Sequence, residues 1–157
     1  MLPYVAALCL VLPGCGGGDR PQPTTLRGSV SDLVQSLSAA DPARRAQAAH
    51  ALGEKGAEAK EAVPALANLL KDTEIRVRLE AAVALGKLGP EAREATPELV
   101  QALTDKETTV RRQAAATLGR IGPEAKAALP ALEKAKSDAA PIVRKAAEEA
   151  VGRVGGR

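Results

Sequence analysis

Apolar positions return along this chain in two alternating patterns, one short and one long. Within residues 63–95, Leu66, Leu69 and Leu70 fall at three- and four-residue spacing, which marks one face of a short helix. After the polar break Lys71-Asp72-Thr73, the residues Val77, Ala81, Ala84, Leu85 and Leu88 line one face of a longer helix, and Gly89-Pro90 ends it. Pro64, Pro97 and Pro130 recur at the head of the short helix, where proline is tolerated because the first-turn N–H has no helical partner. The pattern predicts at most a turn of helix over Pro90–Glu94 and a fresh start near Pro97. Glu91 and Glu124 sit where a helix N-terminus favours negative charge.

Shifted by 33 positions, residues 63–95 fall on 96–128 with 16 of 33 identical. The same offset aligns 30–62 before them and 129–157 after them, the last copy being shorter. A period of this length is the signature of stacked repeats. Neither helix of a unit can bury its apolar stripe alone, and neighbouring copies supply the missing wall. The prediction is an all-α solenoid of four helix pairs, repeats 30–62, 63–95, 96–128 and 129–157.

Small residues carry the packing information. Ala48, Ala81, Ala114 and Ala147 form one column, and Gly53, Gly86, Gly119 and Gly152 another. Glycine inside a helix costs about 0.8–1 kcal/mol relative to alanine, so four at equivalent places point to close approach of neighbouring helices. Leu37, Leu70 and Leu103 share a column that Lys136 occupies in the fourth copy. A terminal repeat needs a polar outer face, so Lys136 reads as part of a cap and four units as the whole array.

The recurring residues resemble a known family. Asp72…Val77-Arg78…Leu85-Gly86, Asp105…Val110-Arg111…Leu118-Gly119 and Asp138…Val143-Arg144…Val151-Gly152 look like HEAT repeats of the phycobilisome-lyase-like type. The resemblance implies a hydrogen-bonded ladder between units from Asp72, Arg78, Asp105, Arg111, Asp138 and Arg144. It also implies that the second helices line the concave face. In the first copy Ala39 replaces the aspartate, with Arg45 kept and Asp41 near, which puts the ladder in question at that end. The lyase subunits of the family are enzymes, but the matching positions here are structural, so the resemblance carries no activity. Tetratricopeptide units would need aromatic residues that the repeats do not have, and Thr96-Pro97-Glu98-Leu99 only partly echoes the opening of an ankyrin unit.

Residues 1–28 stand outside the repeat. Leu2 to Leu12 is an apolar run about the length of a signal-peptide core and far short of the ~20 residues of a membrane span. It leads into Leu12-Pro13-Gly14-Cys15, which resembles a bacterial lipobox and implies cleavage after residue 14 and lipid attachment at Cys15. Pro13 and the lack of a Lys or Arg before the apolar run depart from that pattern, as a start site placed too late would explain for the latter. The alternative is a poorly ordered N-terminal segment of a cytosolic protein. Residues 15–28 are Gly- and Pro-rich with one apolar side chain, Leu26, and read as a tether with a reach of about 20 Å. The expected location is the bacterial envelope, lipid-anchored and facing the periplasm or exterior.

Composition narrows the function from the other side. Tyr4 is the only aromatic residue and falls in the expected leader. A repeat domain without aromatics lacks the usual interface anchors and the stacking platforms for single-stranded nucleic acid. The net charge of +3 comes from interspersed cations and anions, which does not indicate a polyanion-binding protein. Two Cys and one His leave little for metal or thiol chemistry, so neither cofactor nor metal is expected. His50 shares a column with Val83, Ala116 and Glu149 and reads as a solvated side chain. Glu148 and Glu149 are neighbours on one helix and point apart, so they make no acid–base pair.

The candidate partner surface consists of Arg76, Glu80, Lys87, Thr109, Gln113, Arg120 and Arg153 on the second helices, with Ile142 and Ala146 completing the columns. The basic column Lys87, Arg120, Arg153 also lies near helix C-termini, where the dipole favours cations. The sequence therefore points to a monomeric, non-catalytic scaffold for an unidentified protein partner, without nucleic acid. The alternative is a cytosolic accessory subunit of a protein-modifying enzyme.

Overall fold

In each unit a seven-residue helix, a tight turn and a 14-residue helix follow one another. The first three units add a seven-residue 3-10 segment that leads into the next. The computed structural model describes residues 28–156. The units are α1 (Val30–Ser36) with α2 (Pro42–Lys55), α3 (Val63–Leu69) with α4 (Ile75–Leu88), α5 (Thr96–Ala102) with α6 (Thr108–Ile121), and α7 (Leu129–Ala135) with α8 (Pro141–Val154). The 3-10 segments are Gly56–Ala62, Gly89–Ala95 and Gly122–Ala128. The expected leader 1–14, Cys15 and the tether as far as residue 27 lie outside the described residues.

The local reasons are legible in each unit. Pro64, Pro97 and Pro130 occupy the first turn of α3, α5 and α7. The turn before each long helix is set by the ladder aspartate: Asp72 Oδ1 accepts from Glu74 N at 2.9 Å, Asp105 Oδ1 from Glu107 N at 2.8 Å and Asp138 Oδ1 from Ala140 N at 2.8 Å. In the first unit Asp41 caps α2 through Ala43 N at 3.0 Å. Gly56, Gly89 and Gly122 end α2, α4 and α6 with φ of 55°, 61° and 73°, a left-handed conformation that side chains resist.

Val77, Ala81, Ala84, Leu85 and Leu88 are all buried on the inward face of α4. Leu52, Leu85 and Leu118 are fully buried at equivalent places, each contributing about 1.5–3 kcal/mol of transfer energy. The four long helices lie in a row, each packed directly on the next, whereas the short helices barely meet one another and the 3-10 segments wedge between them.

The glycine column marks where these helices touch. A Cβ at Gly53 would lie 2.9 Å from Ala84 Cα, and one at Gly119 would lie 3.0 Å from Ala150 Cα. At Gly86 it would meet Thr117 Oγ1 at 2.9 Å, and at Gly152 nothing within 4 Å. Lys136, where the other copies bury a leucine, is half-buried and bonds Glu133 at 2.7 Å.

Candidate interaction surface

Two sets of charged side chains divide the roles between them, one bonded between units and one facing outward. The bonded set is a ladder running from each arginine to the aspartate of the following unit. Arg45 Nε and Nη2 donate to the Asp72 carboxylate at 2.8 and 2.9 Å. Arg78 holds Asp105 at 2.8 and 3.1 Å, and Arg111 holds Asp138 at 2.8 and 3.1 Å. The third nitrogen of each guanidinium, Nη1, donates to two backbone carbonyls of its own unit, as Arg78 does to Asp72 O and Thr73 O. One side chain thus fixes its own turn and clasps the next unit through a two-toothed, charge-assisted bond.

The electrostatics follow the contacts. The hydrogen bond from Arg111 holds the Asp138 carboxyl below its ordinary range against the opposing effect of burial, helped by the Ala140 N–H and the charges of Arg111 and Arg144. Burial pushes Asp72 up, but the bonds from Arg45 and Glu74 N and the nearby arginine charges outweigh it, and the carboxyl ends below its ordinary value. Arg45 and Arg111 are raised by the bonds to Asp72 and Asp138.

This direction of pairing corrects the expectation about the ends. The first unit needs no aspartate at Ala39, because Arg45 reaches forward to Asp72, and Ala39 contributes only a carbonyl that accepts from Arg45 Nη1 at 2.8 Å. The guanidinium without a carboxylate among the described residues is Arg144, whose bonds go to Asp138 O and Ala139 O at 2.9 and 3.1 Å.

Of the proposed surface residues, Arg76, Lys87, Thr109, Arg120 and Arg153 are exposed or half-buried. Glu80 is partly covered, with Oε2 3.2 Å from His50 Nδ1. Gln113 does not belong to that surface. It is 7% exposed, because α6 is covered by the neighbouring long helices, and its amide turns along its own helix toward Thr117 Oγ1 at 3.4 Å. Lys87 Nζ is ion-paired to Glu54, whose carboxyl it holds below its ordinary range. His50 is half exposed and lies 3.7 Å from Glu54, so it joins Glu54, Glu80 and Lys87 in a charge cluster across the α2–α4 junction.

Thr117 escaped the sequence reading, and Glu148 was weighed there only as half of an acid–base pair. Thr117, the one non-alanine in the column Ala51, Ala84, Thr117, Ala150, donates to Ala82 O at 2.7 Å across the α4–α6 junction. Glu148 is exposed where Ala49, Ala82 and Ala115 are fully buried. The signal for both was a single break in an otherwise uniform column. Among the described residues no group of His, Cys, Asp and Glu is placed to hold a metal ion, and no helix is long and apolar enough to cross a membrane.

A family model for HEAT repeats matches residues 30–93 and 90–152. The complex of CpcE and CpcF of phycocyanin lyase from Nostoc sp. PCC7120 is similar in structure, with 28% identity and a TM-score of 0.70 over 98% of this chain and 59% of that one. A designed armadillo repeat protein in complex with the peptide (KR)4 is similar at 27% identity and a TM-score of 0.67, over 80% of this chain and 64% of that one. An engineered protein shares 28% identity at a TM-score of 0.66, over 81% of this chain and 62% of that one. The chain therefore spans about three fifths of the length of these structures. No curated protein matches the chain.

Proposed function

The chain belongs to the HEAT-repeat family, and we propose that it is a non-catalytic scaffold that binds a protein partner along its long-helix row. The observation that carries this reading is the contrast between the columns. The ladder arginines Arg45, Arg78 and Arg111 are bonded to the aspartates of the following units, while the varied column Arg76, Thr109, Ile142 and the basic column Lys87, Arg120, Arg153 are exposed. Such a row of mostly polar, aromatic-free side chains suits a protein contact of modest affinity rather than an apolar small-molecule pocket. Crosslinking the full chain to its partner in native membranes tests it. The R76E/R120E/R153E variant should lose the crosslinked species while keeping its melting curve, and undiminished crosslinking would overturn the assignment.

The motif Leu12-Pro13-Gly14-Cys15 supports anchoring to a bacterial membrane through a lipid on Cys15. Mass spectrometry of membrane-fraction protein should find Cys15 as an acylated N-terminus. Retention of Met1, or an unmodified Cys15, would remove the anchor from the reading.

The similarity to a complex of two phycocyanin lyase subunits favours a second reading, an accessory subunit of a protein-modifying enzyme in the cytosol. A soluble complex with a second repeat chain, isolated without any lipid on Cys15, would select it over the first.

A further inference from the structure

The fourth guanidinium of the ladder is built like the other three and ends differently. Arg144 Nη1 is held by Asp138 O and Ala139 O at 2.9 and 3.1 Å, as Arg111 Nη1 is held by Asp105 O and Lys106 O at 2.9 and 3.2 Å. These bonds lock the plane of the group before anything binds to its outer edge. In the first three units that edge, Nε with Nη2, grips a carboxylate at 2.8–3.1 Å. In Arg144 it meets no carboxylate among the described residues. Among the described residues its side-chain bonds run through Nη1 alone, and no buried side-chain nitrogen or oxygen is left without a partner, so Nε and Nη2 of Arg144 are not sealed in the core. A locked planar fork loses little rotamer freedom on binding and matches a carboxylate in two bonds at once.

Two positions decide what can deliver the carboxylate. Ala49, Ala82 and Ala115 are the small residues under which the next long helix seats, and Ala82 O accepts the bond from Thr117. Glu148 stands in their place on α8 and puts a charged side chain where a further unit of this type would need close contact. A second copy stacking head to tail would present Ala39 at the rung position, which has no carboxylate, and its Asp41 is engaged at the cap of α2. What fits is a narrow segment with an acidic side chain.

We propose that the end face of the stack carries a carboxylate-binding fork at Arg144, which takes an aspartate side chain from a loop or extended segment of a different protein. The fork rests on the interaction reading but adds a contact separate from Arg76 and Arg120, so either can fail alone.

Side-chain Nε–Hε NMR of the full chain tests the fork. The probe is a blocked Lys-Asp-Thr-Ala peptide, which copies the Lys-Asp-Thr of the turn that presents Asp72 to Arg45, and its control carries Asn for Asp. The Arg144 resonance should shift saturably with the Asp peptide alone, with Arg45, Arg78 and Arg111 unmoved. The same titration should shift the backbone amides of Ala139 and Ala140 beside the fork, and R144K should abolish those saturable amide shifts while its melting curve shows the unit still folded. Equal shifts with the Asn peptide, or shifts at exposed Arg93 as large as at Arg144, would reduce the contact to general screening and overturn the proposal. An intact Arg144 response in the R76E/R120E/R153E variant that still crosslinks normally would sink only the long-helix surface.

Discussion

The middle junction of the stack, α4 against α6, is made differently from the two beside it. At α2–α4 and α6–α8 a glycine lets an alanine Cα come within contact distance, at Gly53–Ala84 and Gly119–Ala150. At α4–α6 Thr117 stands over Gly86 instead, and the two backbones are further apart. The middle junction compensates with a side-chain-to-backbone bond, Thr117 to Ala82 O, and with the most buried arginine of the ladder. The Arg78 side chain is 6% exposed, against 15% for both Arg45 and Arg111. One substitution in an otherwise repeated unit thus shifts a junction from helix contact toward polar bonding. Packing in such a stack is set junction by junction.

The largest test of this contrast is the ladder itself. D105A strands the buried Arg78 guanidinium and should cost about 3–5 kcal/mol in urea unfolding followed by circular dichroism. D138A exposes a better-solvated Arg111 and should cost about 1–3 kcal/mol. Equal losses would show that the depth of the rungs does not distinguish the junctions. Next come the glycines. G53A and G119A drive a methyl into a neighbouring backbone and should each destabilise by about 1–3 kcal/mol. G86A meets the Thr117 hydroxyl and the tip of Arg120 rather than backbone, so it displaces a side-chain bond worth about 0.5–1.5 kcal/mol and should lose less than G53A or G119A.

Acid should weaken the ladder with a definite sign. The folded carboxyls of Asp72 and Asp138 lie below their unfolded values. Their contribution is therefore fully present above about pH 4 and is lost as pH falls through the folded values. Melting temperature plotted against pH should fall below about pH 4, less steeply in D138N.

Smaller still is T117A, which loses a bond worth about 0.5–1.5 kcal/mol and gains helix propensity of up to about 0.7 kcal/mol. The net change should stay within about 1 kcal/mol. If the helices then close up as at the outer junctions, G86A in the T117A background should become as costly as G53A, and additivity of the two changes would refute that closure. Smallest is G152A, which meets nothing within 4 Å and should stabilise α8 by up to about 1 kcal/mol.

The helices were legible because their apolar positions repeat: Leu66 and Val77 to Leu88 announce both period and face, and four copies make chance agreement improbable. The direction of the ladder was not legible. Asp72 and Arg78 are six residues apart in one unit, yet each bonds to a different neighbour, so the pattern alone placed the weak end at Ala39 instead of Arg144. Gln113 was misplaced for a related reason. Its column shows a charged Glu80 in the preceding copy, and column membership gives the direction of a side chain but not how far the next helix covers it. The partner surface is legible only as what the stacking leaves over.

Every ladder bond joins residues 27 apart in sequence, and the Thr117–Ala82 bond joins residues 35 apart. Contacts this local close small loops, which favours fast folding that begins at any adjacent pair and spreads outward. The same arrangement has a mechanical side. The two inner units are each clasped by two rungs and the outer units by one, so a chain pulled from its ends should yield from the ends inward, unit after unit. Its response to load would be a series of small releases, in the manner of a spring that uncoils turn by turn.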